Sequence, residues 1–348
     1  MPRRLDFCVP IYNEGQEVVK PLLDSIAIQR QVNFDEIGVI ICCDGGSTVI
    51  TDEFMSRYPF HIEFHMCEHR GVSATRNECL RHSTAEYVQF ADCDDMLSDA
   101  YGLFIVFREM DAEPNPQEMQ MLGVPQSEWK KGFDFLISNF REETKGPDGK
   151  ITLVDHGQDF TFVHGKVSRR QWLIDNDLLF CESALVHEDS YWVLLTKEMT
   201  PLHRIKYCPF AWYTWLWRDD SVCRSSPLYI LKTLPDLLIS NEALVKELLR
   251  RMEEEKAANY FAMITFEAFF TLNKAEWRDS ENAHFRDTVE EKFTAYFRRY
   301  HNLWDKMDEH QKAMISQGVR QRSVMEGMLL EALTIDQWIS RILEKYPA

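Results

Sequence analysis

Three carboxylates lie within four residues, at Asp92, Asp94 and Asp95, directly after the apolar residues 87–91. Carboxylates this close repel one another unless a cation or hydrogen-bond donors neutralise them. A hard divalent ion such as Mg²⁺ or Mn²⁺, which also binds phosphate oxygens, is a suitable partner for such a cluster. Taken alone, so short and common a string more often forms a solvated acidic turn. The cluster therefore suggests a site but does not establish one, and the rest of the chain has to decide.

Two further polar turns follow apolar runs. Tyr12 comes directly after residues 5–11, and Asp44 comes directly after residues 37–43. Apolar runs that alternate with helical segments at this spacing predict a doubly wound α/β sheet. Open sheets of this kind bind ligands beyond the carboxyl ends of their strands. We therefore expect Tyr12, Asp44 and Asp92 to lie along one edge of the sheet.

The chain divides into two regions of different character. Residues 1–226 read as the α/β domain, with an irregular, Pro- and Gly-containing insertion at about 111–150. An aromatic strand is predicted over residues 207–217. Residues 227–348 carry apolar residues at helical spacing and predict an all-helical C-terminal domain.

Composition narrows the functional classes. The 348 residues are 45% hydrophobic and 27% charged, as in ordinary globular proteins, and the formal net charge is −17. This charge argues against a broad nucleic-acid surface, although a local groove of Lys130, Lys131, Lys166, Arg169 and Arg170 leaves DNA open. No apolar stretch reaches the ~18 residues that a membrane span needs. Nine irregularly spaced cysteines indicate reduced thiols, and we expect a cytoplasmic protein.

The histidines near residue 65 resemble a zinc set. His61, His65 and His69 recur every four residues and Cys67 lies among them. The residues between them alternate apolar and polar, which favours a strand with one polar face over a metal site.

Five short motifs occur in a fixed order, each at a predicted element boundary. They are Val9-Pro10-Ile11-Tyr12-Asn13-Glu14, Asp44-Gly45-Gly46-Ser47, Gly71-Val72-Ser73-Ala74-Thr75-Arg76-Asn77, Asp92-Cys93-Asp94-Asp95 and Glu188-Asp189. Together they resemble family 2 glycosyltransferases, which are inverting, nucleotide-sugar-dependent enzymes of the GT-A fold. The resemblance covers residues 5–226. It departs from the family at Thr75, where alanine is usual.

The resemblance implies a site for a UDP-sugar donor. Pro10, Tyr12 and Glu14 would line the nucleotide pocket, with Tyr12 stacking on the base and Asp44 accepting from a base N–H. The other residues that the resemblance places on the donor side are Arg76 near the diphosphate, Asp92 at the ribose, Asp95 at the donor sugar or the acceptor, and Arg218 and Ser221 in a loop that closes over the diphosphate.

The same resemblance implies the catalytic groups. Asp94, with Asp92, would hold Mn²⁺ or Mg²⁺. Asp189 would be the general base that removes the acceptor hydroxyl's proton, with Glu188 beside it. Both also supply carboxylates that suit a helix N-terminus. His164 and Lys166, in a string like the family's G-K-x-x-R, are candidates for the acceptor side.

Three functions remain open at this point. The first is assembly of a glycan or surface polysaccharide such as a teichoic acid, with the enzyme in the cytoplasm or peripherally attached to the inner membrane surface. The second is a phage-type glycosyltransferase acting on modified DNA bases or on protein. The third is a catalytically silent scaffold that binds nucleotide sugars. The helical domain could contact the acceptor, a membrane or a second copy of the chain as a homo-oligomer.

Overall fold

The computed structural model describes residues 3–184, 186–219, 229–274, 280–325, 327 and 334–347. It forms two compact units, Met1–Arg218 and Asp219–Ala348. The first is α/β and the second is helical, so the predicted fold class is confirmed. The predicted boundary after residue 226 lies outside the described residues and stays a prediction.

The first unit contains two sheets and seven α-helices within the described residues. Its strands are β1 (Leu5–Ile11), β2 (Ile37–Asp44), β3 (His61–Cys67), β4 (Tyr87–Phe90), β5 (Met96–Leu97), β6 (Phe135–Ser138), β7 (Phe140–Lys145), β8 (Ile151–His156), β9 (Lys166–Arg169), β10 (Ile205–Cys208) and β11 (Tyr213–Trp215). Its α-helices are α1 (Gln16–Ala27), α2 (Asp52–Met55), α3 (Val72–His82), α4 (Gly102–Met110), α5 (Pro116–Met121), α6 (Arg170–Asp175) and α7 (Glu188–Met199).

The centre of the large sheet explains why the polar turns meet. The strand order is β10-β6-β9-β4-β1-β2-β3, and β1 pairs in parallel with both β4 and β2. All eight residues of β2 are buried, as expected for a continuous apolar strand covered on both faces. Because these strands are parallel neighbours, their carboxyl ends share one edge. Tyr12, Asp44 and Asp92 follow there, as predicted from sequence.

An antiparallel strand enters the same sheet. β9 lies between β4 and β6 and pairs with both in the antiparallel direction. It begins at Lys166, so the segment that leads into it, including His164, approaches the edge where β4 ends.

The second sheet has the strand order β5-β11-β7-β8. Its strand β5 starts at Met96, directly after the acidic residues in sequence. The predicted aromatic strand over residues 207–217 was wrong as a single element. Its first part, β10, pairs with β6 in the large sheet, and its second part, β11, pairs with β5 and β7. Pro209 follows β10 directly and lacks the N–H that a continuing strand would use.

The predicted insertion contains more regular structure than expected. Only its early part, with α5, lacks strands, whereas β7 and β8 form an antiparallel hairpin around the turn at Pro147-Asp148-Gly149.

The second unit is helical, as predicted. Its helices are α8 (Tyr229–Arg250), α9 (Glu254–Leu272), α10 (Ser280–Asp305), α11 (Glu309–Met325) and α12 (Ile335–Lys345). Aromatic side chains pack its core, where the Trp338 ring lies 5.1 Å from that of Phe293 and 5.4 Å from that of Phe269. α12 starts with a capping box formed by Thr334 and Gln337. Among the described residues, no helix is both long and apolar enough to cross a membrane.

Candidate functional site

The turn after β1 presents an aromatic ring to solvent. The Tyr12 side chain is 44% exposed, and its backbone N–H donates to Glu14 Oε2 at 2.7 Å. Pro10 lies one residue before the end of β1. The turn after β2 passes close by, because a Cβ on Gly46 would lie 1.8 Å from the Tyr12 carbonyl oxygen. Only glycine fits there, so Gly46 allows the turns after β1 and β2 to approach this closely.

Asp44 ends β2 and is already supplied with hydrogen-bond donors. Its Oδ1 accepts from the backbone N–H of Arg70 at 2.8 Å, and both carboxylate oxygens accept from that of Gly71. Its Oδ2 also lies 3.0 Å from His69 Nδ1. The His69 ring in turn stacks on Tyr12, with centroids 5.0 Å apart. Asp44 and Tyr12 are therefore brought together. Between them lies His69, which belongs to none of the motifs.

The acidic loop turns its three carboxylates in different directions. Asp92 accepts from Arg76 Nη2 at 2.9 Å, and Asp94 accepts from Arg218 Nη1 at 2.7 Å. Both remain partly accessible, with 33% and 29% of their side chains exposed. Ser221, the other residue predicted in the loop with Arg218, lies outside the described residues.

Asp95 points into the protein instead. It is fully buried, and its two oxygens accept from the Tyr213 hydroxyl at 2.7 Å and from the Leu216 N–H at 3.0 Å. Tyr213 also accepts from the Asp92 N–H at 3.1 Å. In this structure Asp95 ties the acidic loop to β11 and the residues after it. Its predicted contact with a donor sugar or an acceptor is untested and stays a prediction.

Burial and mutual repulsion shift the pKa values of these carboxylates. Burial and the neighbouring Asp92 raise the pKa of Asp94, although Arg218 opposes the shift. Burial and the charges of Asp92 and Asp94 raise the pKa of Asp95 well above its usual range. Burial acts the same way on Asp92, but Arg76 outweighs it and holds that pKa below its usual value.

Arg76 connects the acidic loop to the start of α7. Its side chain is 3% exposed and lies on α3, which begins after Gly71. Nη1 donates to Glu188 Oε1 at 2.7 Å and to Asp189 Oδ1 at 2.6 Å, while Nη2 donates to Asp92. One guanidinium group therefore joins three carboxylates from two distant segments. This contact places the candidate base beside the candidate donor site.

Asp189 has the environment of a titratable base. Its Oδ2 accepts from the Val163 N–H at 3.2 Å. Burial raises the pKa of Asp189 to about 8, with Glu188 and Asp92 adding to the shift and Arg76 opposing it. A carboxyl group with a pKa near the working pH can both take up and release a proton.

His164 and Lys166 lie beside this cluster but are buried. The His164 ring stacks on Tyr213 at 5.0 Å between centroids, and its Nδ1 is 3.9 Å from Asp95 Oδ2. Lys166 Nζ donates to the His164 carbonyl oxygen at 3.2 Å, and burial lowers its pKa to about 8. Their predicted role on the acceptor side is untested and stays a prediction.

These residues fit a divalent cation. Ligand atoms of Asp92, Asp95 and His164 lie within 4.8 Å of one another. His164 Nδ1 is buried and has no hydrogen-bond partner in the part of the chain that the structure describes. Two carboxylates beside a partnerless imidazole nitrogen form a donor set suited to Mn²⁺ or Mg²⁺.

His61 and His65 form a separate cluster with Glu63. His61 and His65 lie on β3 and place their Nε2 atoms 2.6 and 3.1 Å from the two oxygens of Glu63. The predicted strand is confirmed, and His69 lies beyond its end at Cys67. Sequence reasoning missed the contacts of His69 and Tyr213, because both depend on residues far away in the chain.

Residues 6–170 match the model of the glycosyl transferase family 2. The chain is 33% identical over 99 residues to the minor teichoic acid biosynthesis protein GgaB of Bacillus subtilis, covering 27% of this chain and 11% of that protein. It is 25% identical over 147 residues to the uncharacterized glycosyltransferase YfnE of the same organism, covering 41% of this chain and 35% of that one. The chain thus spans about a third or less of the length of these relatives.

The fold is also similar to that of a solved structure, S. aureus TarS 1-349 in complex with UDP-GlcNAc. The TM-score is 0.59 at 16% sequence identity, covering 98% of this chain and 91% of that chain.

Proposed function

The chain belongs to glycosyl transferase family 2 through its first unit, and we propose that it transfers a sugar from a UDP-sugar to an acceptor hydroxyl with inversion. The observation that carries the proposal is the Arg76 guanidinium group, which binds Asp92 on the donor side and Asp189 on the other. This arrangement supports Asp189 as a base beside the proposed position of the donor's anomeric carbon.

Tyr12 and Asp44 are proposed to hold the nucleobase. An exposed ring offers a stacking face, and a nearby carboxylate accepts a ring N–H, which uracil has at N3. The solved TarS structure is a complex with UDP-GlcNAc, which supports a UDP-sugar as the donor. Pro10 and Glu14 would complete the nucleotide pocket beside Tyr12.

Asp92 and Asp94 are proposed to hold a divalent ion, because they are the carboxylates of the loop that remain accessible to a diphosphate. A bound Mn²⁺ or Mg²⁺ would neutralise charge on the departing diphosphate. Arg218, which now pairs with Asp94, is near enough to that position to contact the diphosphate after the donor binds.

Asp189 is proposed as the general base. The acceptor oxygen forms a bond to the anomeric carbon on the face opposite the diphosphate, the carbon–oxygen bond to the diphosphate breaks, and UDP leaves. The hydroxyl proton passes to the Asp189 carboxylate. Arg76, which Glu188 also binds, keeps this carboxylate in position, and Val163 orients it through its backbone N–H.

The acceptor is proposed to be a teichoic-acid-like glycan. The relative GgaB is described as a minor teichoic acid biosynthesis protein, which supports an acceptor of this chemistry. Attachment to the inner membrane surface and self-association through the helical unit also stay predictions.

A panel of UDP-sugars tests the proposal. The protein is incubated with each UDP-sugar, Mn²⁺ and an extract of teichoic-acid-like glycan, and UDP release is measured. We expect one sugar to give UDP release that depends on the extract, and Asp189→Asn to remove that dependence. No UDP release with any donor would favour the silent scaffold instead.

A further inference from the structure

His69 makes both of the contacts that are proposed for the nucleobase. Its imidazole stacks on Tyr12, with ring centroids 5.0 Å apart and ring planes 25° from parallel. Its Nδ1 lies 3.0 Å from Asp44 Oδ2. A ligand that stacks on Tyr12 and donates an N–H to Asp44 would need the same space.

The hydrogen bonding of His69 defines which nitrogen carries the proton. Nδ1 lies 3.0 Å from two acceptors, the carbonyl oxygen of Asp44 and its carboxylate Oδ2. An acceptor nitrogen facing two oxygens would be repelled, so Nδ1 must be the donor. His69 therefore presents a planar ring with an N–H to Asp44, as the N3–H edge of uracil would.

There is no room for a base between the two rings. A third ring between Tyr12 and His69 would need a separation of about 7 Å, which is twice the ~3.5 Å contact distance between carbon atoms. The observed separation is 5.0 Å. The carboxylate of Asp44 is likewise 8% exposed. A base that makes both contacts can enter only if the imidazole leaves.

The imidazole can leave without unfolding the turn. The His69 side chain is 65% exposed. The turn is held independently of it, because the backbone N–H groups of Arg70 and Gly71 donate to Asp44. Rotation of the His69 side chain would therefore sacrifice one hydrogen bond and one stacking contact.

We propose that His69 is an internal competitor of the donor, whose imidazole occupies the nucleobase position in the ligand-free protein and is displaced when UDP binds. This rests on the proposed function, because it assumes that Tyr12 and Asp44 hold uracil. A protein whose binding-competent form is only a fraction of the population binds with an affinity reduced by that fraction. His69 thus lowers the affinity for every ligand that uses the base position, and leaves ligands of the diphosphate position unaffected.

Binding measurements test whether removing the His69 side chain strengthens or weakens UDP binding. Dissociation constants of UDP and of inorganic pyrophosphate are measured by calorimetry in Mn²⁺ for the full chain and for His69→Ala. We expect UDP to bind about fivefold to 150-fold more tightly to the variant, the range given by one hydrogen bond and one ring contact. Pyrophosphate should bind equally to both.

Two variants make the test specific. His69→Phe keeps a ring for stacking on Tyr12 but has no N–H for Asp44, so UDP affinity should rise less than in His69→Ala. His61→Ala removes an exposed histidine that pairs with Glu63 on β3, and should leave UDP affinity unchanged.

Two results would overturn the inference. Weaker or unchanged UDP binding by His69→Ala, with normal binding by the wild type, would show that His69 supports the base or only the turn, and would leave the proposed function intact. Failure of the wild type to bind UDP at all would overturn the proposed function together with the inference.

Discussion

Asp44 and the acidic loop lie along the same edge of the sheet, but their charges are balanced differently. Within the described residues, the Asp44 carboxylate accepts from three N–H groups, on His69, Arg70 and Gly71. The acidic loop and the start of α7 instead bring together five carboxylates with two guanidinium groups, which are Asp92, Asp94, Asp95, Glu188 and Asp189 with Arg76 and Arg218.

The difference separates two kinds of ligand. A carboxylate that already accepts from N–H groups can exchange one donor for another. Asp44 therefore suits a neutral base whose N–H replaces that of His69. A cluster with more carboxylates than cations gains most from an added cation, because the carboxylates also repel one another. Uridine diphosphate with a bound metal ion offers both: a neutral base for Asp44 and a cation for the acidic loop.

The largest effect is expected from removing Asp189, the proposed base, which lies in the region where carboxylates outnumber guanidinium groups. Asp189→Asn keeps the shape of the side chain and its contact with the Val163 N–H but cannot accept the proton. Transfer should fall about 10²- to 10⁴-fold, the usual contribution of a general base, whereas UDP binding should change little. Initial rates and UDP calorimetry on the same preparation check this. Normal turnover by the variant would eliminate Asp189 as the base.

The pH dependence of the wild type sharpens the same point. Because the pKa of Asp189 is raised to about 8, most of the group is protonated and inactive as a base below that pH. The transfer rate should therefore rise with pH up to about 8 and then level off. A rate that is constant from pH 6 to pH 9 would contradict the assignment.

The next largest effect is expected from removing Arg76, whose guanidinium group binds carboxylates of the acidic loop and of the start of α7. Arg76→Met should destabilise the fold by about 3–5 kcal/mol, because it leaves three partly buried carboxylates without their partner. Arg70→Met is a matched control, since Arg70 is 43% exposed and pairs with Glu78 and Glu182 at the surface. Its effect should stay within about 1 kcal/mol. Urea unfolding of the two variants measures the difference, and equal losses would refute the special role of Arg76.

The smallest effect separates two possible sets of metal ligands. We expect His164→Gln to change the Mn²⁺ dependence of UDP binding by less than about threefold, because Asp92 and Asp94 are the accessible carboxylates. If His164 with Asp95 holds the ion, its loss should instead weaken Mn²⁺ binding by about tenfold or more. Electron paramagnetic resonance of added Mn²⁺ distinguishes the two results.

Much of this arrangement was predictable because it is local in sequence. The apolar runs of β1 and β2, the polar residues at their ends and the helical spacing after residue 227 are all visible in short windows. Parallel pairing then brings the strand ends together, so the shared position of Tyr12, Asp44 and Asp92 followed from the fold class.

The contacts that adjust the site were not predictable in this way. The Tyr213 hydroxyl reaches Asp95 from 118 residues away, and Arg76 reaches Asp189 across 113 residues. The aromatic strand divided at Pro209 because its two parts found partners in different sheets, which no local propensity encodes. The position of His69 likewise depends on a turn that Asp44 organises from the neighbouring strand.

The central claim is that the acidic loop supplies the metal-dependent end of a UDP site, and UDP binding in Mn²⁺ and in EDTA tests it most directly. The wild type should bind UDP at least about tenfold more tightly in Mn²⁺ than in EDTA, a difference of about 1.4 kcal/mol. Asp94→Ala should bind UDP equally in both, at the affinity of the wild type in EDTA. Equal binding by the wild type under the two conditions, or a variant that keeps the Mn²⁺ dependence, would contradict the account.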